Sequence, residues 1–235
     1  MVIYTNWLAQ IEANKKCLTI LIDPEKFDLS DAFAKAYIQK LPLGTTHIFV
    51  GGSTQVEDKT SATIILLKKY TSLPIILFPG DHSQLTHEAD GVLFLSLLSG
   101  RNPKYLIEQQ VQAAPLLKKL DMEVIPTAYI LINGGKETAV QRVSQTEPID
   151  QIDIELIKNT ALAGQFLGFK CIYLEAGSGA IEPVNSQIIA QLKPLINIPL
   201  IVGGGIRSPK EIEAAFQAGA DMVVVGTAIE NNTYK

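Results

Sequence analysis

Short apolar runs rich in β-branched residues recur along the chain: CLTILI from Cys17, THIFV from Thr46, PIILF from Pro74, GVLFLSLL from Gly91, MEVIPT from Met122, KCIYLE from Lys170, PLIVGG from Pro199 and DMVVVG from Asp221. Near-continuous apolar runs of this length are the signature of strands buried on both faces. Most are separated by segments of helical periodicity: SDAFAKAYIQKL, VEDKTSATIILLKKY, NPKYLIEQQVQAAPLLKKL, ELIKNTALAGQFLG, NSQIIAQLK and SPKEIEAAFQAGA. Eight strands alternating with helices predict an α/β chain folded as a parallel (β/α)8 TIM barrel, one domain over residues 1–235. A doubly wound open sheet is the structural alternative. It gives no reason for glycine-rich turns after both the seventh and the eighth strand, whereas a barrel places its phosphate site there.

Three stretches depart from the repeat. Between Phe78 and Asp90 there are too few residues for a covering helix and two loops, so the third helix is expected to be short or replaced by a loop. The thin wall suggests a lateral groove for a long apolar ligand beside the fourth strand, with one of Leu93 and Leu95 facing outward. The N-terminal YTNWLAQIEAN has helical spacing, and Trp7 is expected to plug the barrel from below. A fifth strand ending at Pro126-Thr127 leaves Ala128 to Asp153 as a long loop with a short helix.

Composition narrows the partners. A hydrophobic fraction of 47% with 19% charged residues suits a barrel whose strands are covered on both faces. No apolar stretch reaches the roughly 18 to 20 residues of a spanning helix, and the first thirty residues lack a signal-peptide pattern, so a cytoplasmic protein without stable membrane insertion is expected. The net charge is −4 and the 20 basic residues are scattered, which argues against a nucleic-acid partner. Cys17 and Cys171 lie far apart in apolar runs and read as buried small hydrophobes.

The candidate chemistry sits where the strands end. GGGIRSP (Gly203 to Pro209) and VVGTAI (Val224 to Ile229) each close a strand with glycines that let backbone N–H groups approach an anion. Ser208-Pro209 fits equally a helix N-cap followed by proline. YLEAGSGA (Tyr173 to Ala180) adds a third glycine-rich turn and a carboxylate, Glu175, placed to accept a hydrogen bond or a proton from a substrate hydroxyl. Tyr173 shares its facing, two residues earlier. A structural Glu175–lysine pair is the alternative. Asp23 in LIDPEK is a natural Mg2+ ligand, since magnesium needs only one or two protein oxygens when a diphosphate supplies the rest, and Ser53 in GGS would add a hydroxyl beside it, although a turn followed by a Ser53 or Thr54 cap on the next helix reads equally from GGST. Lys26 and Arg101 are candidate diphosphate cations or simply solvated surface residues. The three histidines show no metal-ligand spacing.

LIDPEK, FVGGST, LFLSLLSGRNP, PTAYILINGG, YLEAGSGA, GGGIRSPKEI and VVGTAI together resemble the geranylgeranylglyceryl phosphate synthase family and its heptaprenylglyceryl relatives, over nearly the whole chain. LFLSLLSGRNP is more similar to the subgroup shared by certain archaea and some bacteria. The resemblance implies transfer of a geranylgeranyl group from its diphosphate to sn-glycerol 1-phosphate, forming an ether-lipid precursor. It implies that Asp23 and Ser53 hold magnesium, and that Tyr173, Leu174, Glu175, Ala176, Gly177, Ser178, Gly179, Gly204, Gly205, Gly226 and Thr227 bind the glycerol phosphate. Glu175 would orient or deprotonate its hydroxyl, the prenyl tail would lie in a groove of the barrel wall, and a homo-oligomer is expected. Two other readings stand beside it. A histidine- or tryptophan-pathway isomerase or cyclase would want a carboxylate at the end of the fifth strand as partner to Asp23, where Pro126-Thr127 offers none. A non-catalytic phosphate or flavin binder would need the glycine cradle but no metal-binding carboxylate.

Overall fold

The computed structural model describes residues 2–52, 59–231 and 234. Eight parallel strands close into a barrel in sequence order: β1 Cys17–Ile22, β2 Thr45–Val50, β3 Ile75–Leu77, β4 Gly91–Leu97, β5 Glu123–Leu131, β6 Cys171–Glu175, β7 Leu200–Gly203 and β8 Met222–Val225. Helix α1 (Ile3–Glu12) precedes β1, α2 (Asp31–Gln39) and α3 (Lys59–Lys68) follow β1 and β2, and α4 (Gln109–Leu117) follows β4. After β5 come α5 (Ala139–Ser144) and α6 (Ile154–Phe166); α7 (Ser186–Leu192), α8 (Pro209–Ala218) and α9 (Thr227–Glu230) follow the last three strands.

Period-two alternation splits the apolar side chains into two cores. Phe49, Ile76, Leu93, Tyr129, Tyr173 and Val224 fill the lumen, while Ile48, Val50, Ile130, Leu174 and Val202 face the surrounding helices. Trp7 closes the lumen from below at 1% exposure, and its Nε1 donates to His47 Nε2 at 2.9 Å. The Glu123 carboxylate accepts from the Ile3 and Tyr4 N–H groups at 2.6 and 3.1 Å, satisfying two of the otherwise unpaired donors at the start of α1. The bottom of the barrel is thus sealed by packing, leaving the C-terminal strand ends for chemistry.

All residues between β3 and β4 are described, and they contain only a single 3-10 turn, His82–Gln84, in place of a covering helix. Two sequence expectations need correction. The fifth strand continues through Ala128 to Leu131, pairing with β6 up to Glu175; Pro126 interrupts the apolar run, but its missing N–H does not end the strand. The fourth strand pairs with β5 from Gly91 to Leu97 without a register shift. With no bulge, Leu93 and Leu95 both point to the lumen, and Val92 and Phe94 are the outward side chains on the uncovered flank.

Candidate active site

A cavity of about 300 Å3 opens at the C-terminal strand ends and continues over the outer flank of β4. Its rim is formed by Asp23, Gly52, Glu175, Gly177, Gly204 and Gly226, and its flank by Leu85, Val92, Phe94 and Ala113. One space therefore joins a polar head region to an apolar groove, and the groove lies where a third covering helix would otherwise stand.

The head region is organised around Glu175, the last residue of β6 and only 6% exposed. Its Oε1 accepts from the Gly177 N–H at 2.8 Å. Burial pushes its carboxyl up to about 7, against the opposing pull of the Gly177 amide and the Tyr173 phenol. The Tyr173 hydroxyl is buried without a well-aligned hydrogen-bond partner, yet it is near enough to Glu175 to bear on its ionisation. Burial, then Glu175 and Tyr129, keep Tyr173 itself firmly protonated. Phe78 stacks on Tyr173 with ring centroids 5.3 Å apart, and Tyr129 meets it edge-on at 5.5 Å, so the ring is fixed in place.

The glycine-rich turns converge on this carboxylate. Gly177 and Gly204 hold φ of +100° and +81°, and any Cβ on Gly204 would strike Glu175 Oε1 and the Gly177 and Ala176 amides. Only glycine permits β7's turn to pass so close to β6's. Ser178 Oγ and Thr227 Oγ1 lie 3.0 Å apart, linking the β6 turn to the start of α9. Gly177, Ser178, Gly179, Gly204, Gly205, Gly226 and Thr227 all line the cavity. Leu174 belongs to the outer core, as does Ala176, whose amide is already given to the Gly203 carbonyl at 3.0 Å, so neither brings a side chain to the cavity.

Opposite stands a second charged group. Asp23 lies just past β1, its Oδ1 accepting from the Glu25 N–H at 3.1 Å and its Oδ2 3.2 Å from Lys26 Nζ. Glu230, which the sequence reading missed, accepts from the Asp23 N–H at 3.2 Å and from Lys26 Nζ at 3.1 Å. Burial disfavours the charge on Lys26, but Glu230 and Asp23 outweigh it and raise its pKa. The available signal was a carboxylate one helical turn beyond the VVG turn of β8. Ser53 lies outside the described residues. Arg101 is not brought to the cavity: its Nη1 donates to the Leu98 and Gly100 carbonyls at 2.9 and 2.7 Å.

The groove wall also holds an element that periodicity did not reveal. Lys104–Glu108 form a π-helical turn ahead of α4. Ser96 Oγ donates to the Leu106 carbonyl at 2.6 Å, and Gln110 Nε2 reaches the Tyr105 carbonyl at 3.4 Å and the Leu95 carbonyl. The bonds to Leu106 and Tyr105 satisfy carbonyls of the widened turn, and those from Ser96 and to Leu95 tie the turn and the start of α4 to β4. Tyr105, Gln109 and Gln110 consequently line the groove. At its lip, Gln109 accepts from the His82 N–H at 3.1 Å and donates to Asp81 Oδ2 at 2.8 Å, tying the 3-10 turn to α4. At the end of β5 stand Leu131 and then Ile132-Asn133, so this rim position offers no carboxylate partner for Asp23.

Fold and site together define a (β/α)8 barrel in which glycine-rich strand ends and a buried carboxylate share one cavity with an apolar flank. The chain belongs to the PcrB family, whose model matches residues 10–235. It is 55% identical over 222 residues, 94% of each chain, to a geranylgeranylglyceryl phosphate synthase of Zunongwangia profunda. It is 40% identical over 223 residues, 94% of this chain and 87% of the relative, to the protein of that name from Pyrococcus abyssi. Among solved structures it superimposes with a TM-score of 0.91, at 36% identity and covering 100% of this chain and 94% of the other, on the (S)-3-O-geranylgeranylglyceryl phosphate synthase of Thermoplasma acidophilum in complex with substrate sn-glycerol-1-phosphate. A tryptophan synthase α-subunit from Pyrococcus furiosus matches with a TM-score of 0.56 at 12% identity, a likeness of fold alone. Among the described residues no helix is long and apolar enough to cross a membrane.

Proposed function

We propose that this protein joins geranylgeranyl diphosphate to sn-glycerol 1-phosphate, releasing diphosphate and forming a prenyl ether. The observation that carries the reading is the single cavity in which a buried carboxylate between glycine-rich turns opens onto an apolar flank groove, together with 36% identity across the whole chain to an enzyme solved with sn-glycerol-1-phosphate. The phosphate sits among the turns after β6, β7 and β8, where backbone N–H groups and the Ser178 and Thr227 hydroxyls surround it. Glu175, in its ionised form, accepts the proton of the attacking glycerol hydroxyl, and the Tyr173 phenol steadies the carboxylate. The prenyl tail lies against Val92, Phe94 and Leu85, where burial of apolar surface stabilises it by roughly 25 cal/mol per Å2.

The residues present fit a magnesium ion. Asp23 is an oxygen donor inside the cavity rim with Glu230 beside it, and a Cβ on Gly52 would come within 3.0 Å of Asp23 Oδ1, so the rim backbone leaves just enough room for that carboxylate. Magnesium favours few protein oxygens, with diphosphate and water completing its shell. When bound, the ion would neutralise charge on the departing diphosphate. Lys26 serves the same charge from the protein side.

Incubating the protein with labelled geranylgeranyl diphosphate, each enantiomer of glycerol phosphate and magnesium tests the reading. A prenyl ether formed from the 1-phosphate is the expected product. Asp23→Asn should raise the magnesium concentration for half-maximal activity and weaken Mn2+ binding seen by water-proton relaxation. No ether from either enantiomer, or yellow protein with a flavin spectrum, rejects the proposal.

A further inference from the structure

The phosphate cradle is assembled from separate loops, and glycine alone does not hold them together. Gly205, with φ +72°, passes so close to the far limb of the β6 turn that a Cβ there would lie 2.9 Å from the Pro183 nitrogen. Across this contact reaches Arg207. Its Nη1 donates to the Ile181 carbonyl at 3.1 Å and to the Gly205 carbonyl at 3.2 Å, and its Nη2 donates to the Ala180 carbonyl. Three acceptors, two from the β6 turn and one from the β7 turn, are thus gathered by one planar group that has donors in fixed directions and no acceptor. Its own backbone is anchored as well, since the Arg207 N–H donates to Glu211 Oε2 at 2.6 Å and Ser208 caps α8.

Arg207 is exposed and is not among the residues that line the cavity, so the guanidinium lies on the outer side of the loops. A trans peptide points its N–H opposite to its C=O. Holding the Gly205 carbonyl outward therefore aims the Ile206 N–H toward the cavity, which Ile206 does line. We propose that Arg207 is a positioning residue for glycerol phosphate: it fixes the β6 and β7 turns in register so that their amides converge on one phosphate, without touching the phosphate itself. This inference rests on the functional reading above and goes beyond it by assigning the clamp.

The test separates bridging from charge. Arg207→Lys keeps the positive charge but not the three-way fork, and Arg207→Ala removes both. Both variants should bind sn-glycerol 1-phosphate about tenfold more weakly by calorimetry, equivalent to ~1.4 kcal/mol, with a matching rise in its KM. The KM for prenyl diphosphate and kcat should stay near wild type, and added guanidinium ion should restore affinity to Arg207→Ala but not to wild type. A lysine variant equal to wild type makes the effect one of charge and overturns the clamp. So does an alanine variant with unchanged affinity, or a loss of kcat and of both KM values together with a lowered melting temperature. If wild-type protein fails to bind sn-glycerol 1-phosphate, the functional reading falls, and the same variants are compared with inorganic phosphate as probe; equal phosphate affinity then overturns the clamp on its own terms.

Discussion

Near neutral pH the Glu175 carboxyl, pushed up to about 7 by burial, exists in both protonation states, which is the condition under which a carboxylate is a useful proton acceptor. The kcat/KM for glycerol phosphate should rise with pH through this value, and Glu175→Gln should lower kcat by at least about a hundredfold and flatten the profile. The same shift bears on folding. The ordinary carboxyl titrates near 4.5, so between that value and about 7 the native protein holds a proton that the unfolded chain has released. Stability from this residue is complete below the lower value and is lost as pH rises through the upper one. Thermal melts of Glu175→Gln across this window should lack that decline. A kcat profile unchanged by the substitution would remove Glu175 from the chemistry.

At the scale of elements, the outward side of β4 is the informative surface. Phe94 packs against the outer core and lines the groove, so Phe94→Trp should shift product distributions toward shorter prenyl chains while leaving the KM for glycerol phosphate unchanged. Leu93 is fully buried in the lumen; Leu93→Trp should cost about 1–3 kcal/mol through overpacking, read as a lowered melting temperature. An unaltered chain-length preference in Phe94→Trp would place the tail elsewhere. Much of this level was legible in the chain. Eight buried runs reported eight strands, and the short span from Phe78 to Asp90 reported the missing helix, because a helix needs a minimum length that no packing can supply. What the chain hid was set by contacts between distant residues. Pro126 reads as a strand terminator, yet β6 continues the ladder past it. The facing of Leu93 and Leu95 depends on an unshifted register with β5. The π-helical turn depends on Ser96 and Gln110, whose partners no periodicity reports. In the site, glycine-rich turns and Asp23 stood out by residue type, whereas Glu230, an ordinary helix glutamate by sequence, matters through where its carboxylate lands.

Across the whole molecule, the strand ends carry the candidate chemistry while the opposite mouth is sealed by α1. Burial lowers the His47 pKa to about 4, and a neutral ring is what the Trp7 indole N–H requires as its acceptor. The unfolded chain binds this proton near the ordinary value of 6.5, so the contribution is complete above that pH and is lost as pH falls toward about 4. Trp7→Ala should destabilise the protein by about 3–5 kcal/mol, and His47→Gln should flatten the acid side of a stability-against-pH curve; a melting temperature unchanged in both would mean the plug is dispensable. The missing third helix has a different kind of consequence. Because the cavity continues from the mouth of the lumen over the outside of the wall, the described residues leave an amphiphile a sideways way out that does not thread the barrel. The tail's fit and the head's fit then become separate quantities, each open to change by drift in its own residues, so that lipid length can diversify among descendants of this chain while the grip on the polar head stays constant.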